Sequence, residues 1–255
     1  MKQIPNLFTL LNLCMGAIAI VLTLQIGESI INIQGTEWKI FLPENIWWAS
    51  FFIGLAAIID FLDGFVARLF KATSEMGKQL DSLADVVSFG VAPGIILFQL
   101  LRVSFASEPS GLETPMIWTL PAMLFPMAAA WRLARFNLDT IHRNDFEGLP
   151  TPAAGLLIAS FPILLLYNPF DIQLILMNKW TLYAVCIVVP WLMISHISLL
   201  NLKFSNLSFA DNKARYILLA ISALCIAVLG WLSIPAIFIT YILVSLLFKT
   251  RSNDV

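Results

Sequence analysis

The chain has 255 residues, 59% of them hydrophobic and only 12% charged, with a net charge of −1 and a mean hydropathy of +0.86. A soluble globular domain is roughly a quarter charged, so this composition excludes a water-soluble enzyme, and the near-zero net charge leaves no bulk electrostatic case for nucleic-acid binding. What it specifies is an all-α integral membrane protein, because apolar runs of about 18 or more residues, each enough for a spanning helix, recur through the whole length.

Apolar runs long enough to cross a core of ~30 Å predict about eight transmembrane helices: 7–26, 46–70, 79–102, 116–138, 151–167, 180–200, 214–231 and 233–249. The first has only Lys2 ahead of it and no small-residue cleavage pattern behind it, so it reads as a mature helix rather than a signal peptide. The fifth is short and carries Pro152 and Pro162, which neighbouring helices can accommodate. The longest connections, 27–45 and 103–115, are poor in Lys and Arg.

With the N-terminus inside, twelve basic residues fall on the cytoplasmic side: Lys2, Arg68, Lys71, Lys78, Arg132, Arg135, Arg143, Lys203, Lys213, Arg215, Lys249 and Arg251. Lys39, Arg102 and Lys179 fall outside, so charge asymmetry predicts cytoplasmic N- and C-termini. Trp38, Trp47, Trp48, Trp180 and Trp231 sit near the expected interfaces, as an aromatic belt does. Cys14, Cys186 and Cys225 lie singly in apolar runs and read as small buried hydrophobes. No repeat or linker divides the chain, which reads as one membrane domain over 1–255.

Four acids break the apolar pattern. Asp60 and Asp63 stand at i, i+3 in the second span, and Asp81 and Asp85 at i, i+4 in the third. An ionised carboxylate at the bilayer centre costs about 2.5–3.5 kcal/mol even on permissive scales, so such residues are functional by default. Counting at ~1.5 Å per residue places Asp60 about 21 Å into its span from outside, and Asp81 and Asp85 about 5 and 10 Å into theirs from inside. The antiparallel hairpin therefore brings all four to one level near the cytosolic face. Asp60, Gly64 and Ala67 share a helical stripe, as do Gly77, Asp81, Ala84 and Ser88. Small residues beside the acids leave room for a large polar ligand. Four carboxylates this close cannot all stay ionised without cations, and hard divalent ions with oxygen ligands that bridge phosphates, Mg²⁺ or Mn²⁺, suit the set. Two metals would stabilise the attacking and leaving oxygens of a phosphoryl transfer. Arg68 offers a permanent cation for a phosphate, and Asp85, last in the set, is the candidate general base. A structural ion network with Arg68, Lys71, Lys78, Arg132 and Arg135 is the competing explanation. An acidic relay in a cation-coupled transporter is another, and it predicts midplane acids and inverted repeats.

The pattern D-x2-D-G-x2-A-R-x8-G-x3-D-x3-D, running from Asp60 to Asp85 without a departure, resembles the signature of the CDP-alcohol phosphatidyltransferases. The resemblance implies displacement of CMP from a CDP-linked lipid by an alcohol, at a site with two divalent cations, in a six-helix core. It makes Asp60, Asp63 and Asp81 metal ligands, and Asp85 both ligand and proton acceptor. Gly64, Arg68 and Ser74 become contacts to CDP-diacylglycerol, with Ala67 and Gly77 beside them. Residues 1–200 would form the catalytic core, 201–255 an accessory helix pair, and the family likeness suggests a homodimer.

The stretches 80–93, 4–12, 132–137 and 148–153 resemble the serine-accepting branch of that family, whose products would be phosphatidylserine and CMP. The serine carboxylate calls for arginine; Arg132 lies about 24 Å into the fourth span, at the level of the acids, and Arg135 follows on the same face. Either is equally readable as an arginine snorkelling from a helix end. Ser82 and Ser88 border the acids as candidate acceptor contacts, or bond across helices. Asn6 and Thr9 cap the first helix, reach the nucleotide, or both. His142 and His196 are each isolated in the sequence and read as ordinary interface or packing residues. Glycerol 3-phosphate or an inositol phosphate is the alternative acceptor for the same chemistry.

Overall fold

The computed structural model describes residues 4–25, 45–69, 74–108, 114–138, 146–200, 208 and 212–248. Lys71, His142 and Arg143, most of the two long connections, and the side chains of Ala67 and Arg68 lie outside the described residues. The helices are α1 (Ile4–Leu24), α2 (Ile46–Leu69), α3 (Glu75–Asp85), α4 (Ala92–Ala106), α5 (Leu124–Leu138), α6 (Thr151–Tyr167), α7 (Gln173–Leu176), α8 (Lys179–Ile194), α9 (Lys213–Leu229) and α10 (Ser233–Leu247). They occupy each of the eight intervals that hydropathy selects. Among the described residues four stretches are long and apolar enough to cross a membrane: Pro5–Leu24, Ile46–Val66, Glu75–Ala106 and Lys213–Leu247, the last broken at Gly230. A fifth arises if Pro169–Leu176 and Lys179–Ile194, bent by 82°, form one broken span. The protein is a multi-pass, all-α membrane protein.

Side-chain contacts gather at two opposite ends of the helices. At one end Thr9 meets Asp63, Arg132 meets Thr151 and Arg135 meets Ile194. At the other, Lys179 pairs with Glu108 at 2.6 Å, the Tyr183 hydroxyl donates to the Trp118 carbonyl at 2.7 Å, and Tyr167 stacks on Trp231. Those contacts fit a chain that crosses back and forth between two interfaces. The α9–α10 turn is made at Gly230, whose φ of +53° only glycine adopts freely, and the two helices pack together.

The third interval is the centre of the bundle: 67% of its apolar window is buried, against 28% for α1 and α2 and 11% for the α9–α10 hairpin. Its packing partners come within backbone reach. A Cβ on Gly16 would lie 2.7 Å from Ser88 Cα, and one on Gly155 would lie 2.9 Å from the Phe89 carbonyl oxygen, so α1 and α6 both require glycine there.

Several boundaries differ from the sequence expectation, each for an identifiable reason. The third helix runs from Glu75 to Ala106 rather than 79–102, and between α3 and α4 it widens into a π-helical turn, Val86–Val91. Pro93 has no N–H for the Phe89 carbonyl, so the i→i−4 ladder cannot continue unchanged through this stretch; π-turns of this kind recur at functional sites. Ser74 caps α3, accepting from the Gly77 amide at 3.0 Å, with Glu75 in the first turn where the helix dipole favours it. The fourth span opens as a 3₁₀ stretch, Met116–Met123, because Pro121 and Pro126 remove two donors. The sixth stops at Ile194, not 200: Ser195 turns extended, and β1 (Phe146–Glu147) pairs antiparallel with β2 (Ser198–Leu199). Asn6 and Thr9 do not cap α1; both lie inside it.

Candidate active site

The four aspartates converge as their spacing requires. Asp63 stands six residues before the end of α2, Asp81 six after the start of α3, and Thr9 five after the start of α1, so each lies ~8–9 Å from its helix end. Asp60, Asp63 and Asp81 each offer a carboxylate oxygen within 4.8 Å of the others, a group able to hold a metal ion. Asp85 adjoins that trio through a side-chain hydrogen bond with Asp60, at the point where α3 gives way to the π-turn. Asp63 and Asp85 are buried, Asp60 and Asp81 half-buried. The donor set is oxygen only, which suits hard divalent cations rather than zinc or copper.

Helix α1 supplies two groups that hold these acids. The Thr9 hydroxyl donates to Asp63 Oδ2 at 2.9 Å, closer than its own-helix contact to the Pro5 carbonyl at 3.2 Å. Asn12 Nδ2 donates to Asp85 Oδ1 at 3.3 Å, and its own buried Oδ1 has no partner among the described residues. Asn12 was absent from the sequence candidates; polar residues on an apolar helix carry no sign of which neighbour they will face.

Beside the acids lies a cleft of about 530 Å³, lined by Pro5, Asn6, Thr9, Asp63, Gly64, Ser74, Glu75, Gly77, Lys78 and Asp81. That is within the ~300–1,000 Å³ usual for small-molecule sites. Among the described residues nothing lies within 4 Å of a would-be Cβ on Gly64, while a Cβ on Gly77 would press on Asn6 Oδ1 and Ser74 Oγ at 3.1 Å. Of the seven residues expected around CDP-diacylglycerol, the structure thus brings Asn6, Thr9, Gly64, Ser74 and Gly77 to one cleft. Lys78 and Glu75 join them at its rim. The side chains of Arg68 and Ala67 lie outside the description.

The four acceptor candidates divide. Arg132 is buried, donates through Nη1 to Thr151 Oγ1 at 3.1 Å, and leaves Nε with no partner among the described residues; Asp85, Arg135 and Tyr241 lie in its neighbourhood. Arg135 instead spends Nη1 on the Ile194 carbonyl at 3.0 Å and Nη2 on that of Ser195 at 3.4 Å, satisfying the C-terminus of α8. Ser82 is bonded to the Lys78 carbonyl and accepts from Asn137 at 2.8 Å. Ser88 is fully buried and donates to the Asn12 carbonyl at 2.9 Å, a helix–helix contact rather than a cleft wall. His196 is exposed beyond α8.

Fold and site together define a membrane-embedded helical protein with an acidic, metal-competent centre opening on a polar cleft. The CDP-alcohol phosphatidyltransferase family model matches residues 2–193, and the chain belongs to that family. It is 35% identical over 143 residues to a CDP-diacylglycerol–serine O-phosphatidyltransferase of Bacillus subtilis, covering 54% of this chain and 76% of that protein. The protein of the same name from Methanocaldococcus jannaschii is 35% identical over 178 residues, 70% and 72% of the two chains. That of Mycobacterium leprae is 42% identical over 110 residues, 40% of this chain and 33% of its own length.

Proposed function

We propose that this chain transfers the phosphatidyl group of CDP-diacylglycerol to the hydroxyl of L-serine, giving phosphatidylserine and CMP. The observation that carries the reading is the juxtaposition of the acidic cluster with a polar cleft at one end of the bundle, where a lipid headgroup has access from the bilayer interface. The names of the relatives and the serine-branch stretches support the choice of acceptor. Asp60, Asp63 and Asp81 would hold divalent metal, with Asp85 adjoining. Two Mg²⁺ or Mn²⁺ ions would supply charge neutralisation for the pyrophosphate and for departing CMP.

The chain's own groups do the rest. Asn6, Gly64, Ser74 and Gly77 shape the cleft for the nucleotide diphosphate, Gly64 by leaving its space empty, and Arg68 and Ala67 follow on the same helix. Asp85 accepts the proton of the serine hydroxyl, held in place by Asn12. The serine oxygen bonds to the β-phosphorus as the bond from that phosphorus to the CMP oxygen breaks. Arg132, with donors to spare beside Asp85, is the favoured partner for the serine carboxylate; Arg135 braces the wall behind it, and Ser82 lies nearby.

The acids would face the cytoplasm, with both termini on that side and the protein in the cell's inner membrane. Among the described residues Lys78, Arg132, Arg135, Lys213 and Arg215 gather at the site end, and Arg102 and Lys179 at the other, as the positive-inside rule requires. Residues 1–200 would be the catalytic core and 201–255 an accessory pair, in a homodimer, which light scattering of the detergent-solubilised protein would measure.

The test is CMP release by purified protein from CDP-diacylglycerol with Mg²⁺ or Mn²⁺, across a panel of labelled acceptors. Label from serine should appear in lipid, and chelation should abolish it. Incorporation of glycerol 3-phosphate or an inositol phosphate instead would reassign the acceptor, and no CMP release with any acceptor would return the acids to a transport relay.

A further inference from the structure

The family match ends at residue 193, yet the hairpin beyond it reaches back towards Thr151 and Arg132. On α10, Tyr241 and Ser245 stand at i, i+4, on one face of the helix, and both are buried. They grip the two polar groups of a single residue: the Tyr241 hydroxyl donates to the Leu200 carbonyl at 3.2 Å, and Ser245 Oγ accepts from the Leu200 amide, also at 3.2 Å. Leu200 directly follows β2. Across the ladder Glu147 pairs with Ser198 and Phe146 with Leu199. β1 then runs into Gly148, whose φ of +71° brings its amide to the Ile197 carbonyl at 2.9 Å, and on to Leu149, whose amide bonds the Leu192 carbonyl at 3.0 Å. Two residues later comes Thr151, the hydroxyl that receives Arg132. Tyr241 also lies in the neighbourhood of Arg132.

We infer that Tyr241 and Ser245 are positioning residues for the acceptor. Through Leu200 and the β1–β2 ladder they fix Thr151 and hence the Arg132 guanidinium, so the α9–α10 hairpin is part of the apparatus that selects the alcohol. This rests on the reading of Arg132 as the partner of the serine carboxylate. The hairpin is otherwise the least embedded part of the bundle, with only 11% of its apolar window buried. A purely lipid-facing accessory pair has no need of two buried hydroxyls bonded to one backbone residue.

The experiment is steady-state kinetics on full-length protein carrying Tyr241→Phe, Ser245→Ala, Ser245→Thr, Arg132→Lys, and Tyr241→Phe with Arg132→Lys. Loss of one bond in the clamp should raise KM for serine about three- to tenfold, with kcat and the KM for CDP-diacylglycerol nearly unchanged. Ser245→Thr, which keeps an acceptor oxygen, should restore the serine KM. Tyr241→Phe and Arg132→Lys should be non-additive in kcat/KM for serine, because they act on one guanidinium. If Arg132→Lys raises the serine KM while the clamp variants do not, or if those variants raise both KM values alike, the positioning role is overturned and the acceptor reading stands. If Arg132→Lys leaves the serine KM unchanged, the acceptor reading itself falls and takes this inference with it. Should Tyr241→Phe not fold, the two Ser245 variants carry the same comparison.

Discussion

Asn12 and Asp85 join the first helix to the start of the π-turn through one hydrogen bond, Nδ2 to Oδ1, at 3.3 Å. The bond holds the acid of the four that adjoins the mutually close trio, the one proposed above as proton acceptor. Replacing Asp85 by Asn should cut turnover by ~10²–10⁴-fold, the usual worth of a general base, while CDP-diacylglycerol binding is largely spared. Asn12→Ala should have a milder effect of the same kind, about tenfold in kcat, because the base loses only its anchor. Turnover and equilibrium binding of the CDP-lipid, measured side by side on the two variants, check both; full activity in Asp85→Asn would remove it as base.

Thr9 does for Asp63 what Asn12 does for Asp85, at 2.9 Å. Outer-sphere partners of metal-binding carboxylates typically contribute ~10–100-fold in metal affinity. Thr9→Val keeps the shape and deletes the donor, so the Mn²⁺ concentration for half-maximal activity should rise by about tenfold, with activity recovered at saturating metal. A fall in activity that added metal does not restore would place Thr9 on the nucleotide instead.

How much of this was legible in the sequence follows from what each residue must avoid. Asp60, Asp63, Asp81 and Asp85 were legible because charge in hydrocarbon has few bland explanations, and helical spacing then fixes their common level. Thr9 and Asn12 gave no comparable signal: a hydroxyl or amide in an apolar helix bonds its own turn or a neighbour's at similar cost, and rotation between helices is set by packing such as Gly16 on Ser88. Arg132 and Arg135, three residues apart on one face, were indistinguishable until α8 stopped at Ile194 and offered Arg135 its carbonyls. The π-turn needed both Pro93 and the glycine contacts around Phe89. Tyr241 lies in a stretch with no motif, and only the tertiary path through Leu200 gives it meaning.

Two glycines on neighbouring helices should respond in opposite ways. Gly16→Ala drives a methyl to 2.7 Å from Ser88 Cα, an overpacked contact costing about 1–3 kcal/mol. Its Tm in detergent should fall, with the KM values moving little in whatever protein remains folded. Among the described residues Gly64→Ala meets nothing within 4 Å, and it replaces glycine by a better helix former, so Tm should hold or rise. The new methyl projects into the cleft, however, and the KM for CDP-diacylglycerol should rise about tenfold. A thermal scan and a CDP-lipid titration on each variant separate the two; an unchanged KM in Gly64→Ala would take that face of α2 out of the nucleotide site.

Arg135 supplies the last contrast. Its guanidinium is committed to the carbonyls of Ile194 and Ser195 at 3.0 and 3.4 Å, at the end of α8 where the carbonyls run out of intrahelical partners. Arg135→Ala should therefore behave as a lost helix cap, destabilising by roughly 1–3 kcal/mol and disturbing the KM values for serine and CDP-diacylglycerol to a similar degree. Arg132→Lys, which keeps the charge but loses the planar fork, should raise the serine KM selectively. Tm and both KM values for the pair decide the matter. A selective rise in the serine KM for Arg135→Ala, with Tm intact, would mean that the side chain leaves its carbonyls when serine binds, and would return the carboxylate to Arg135.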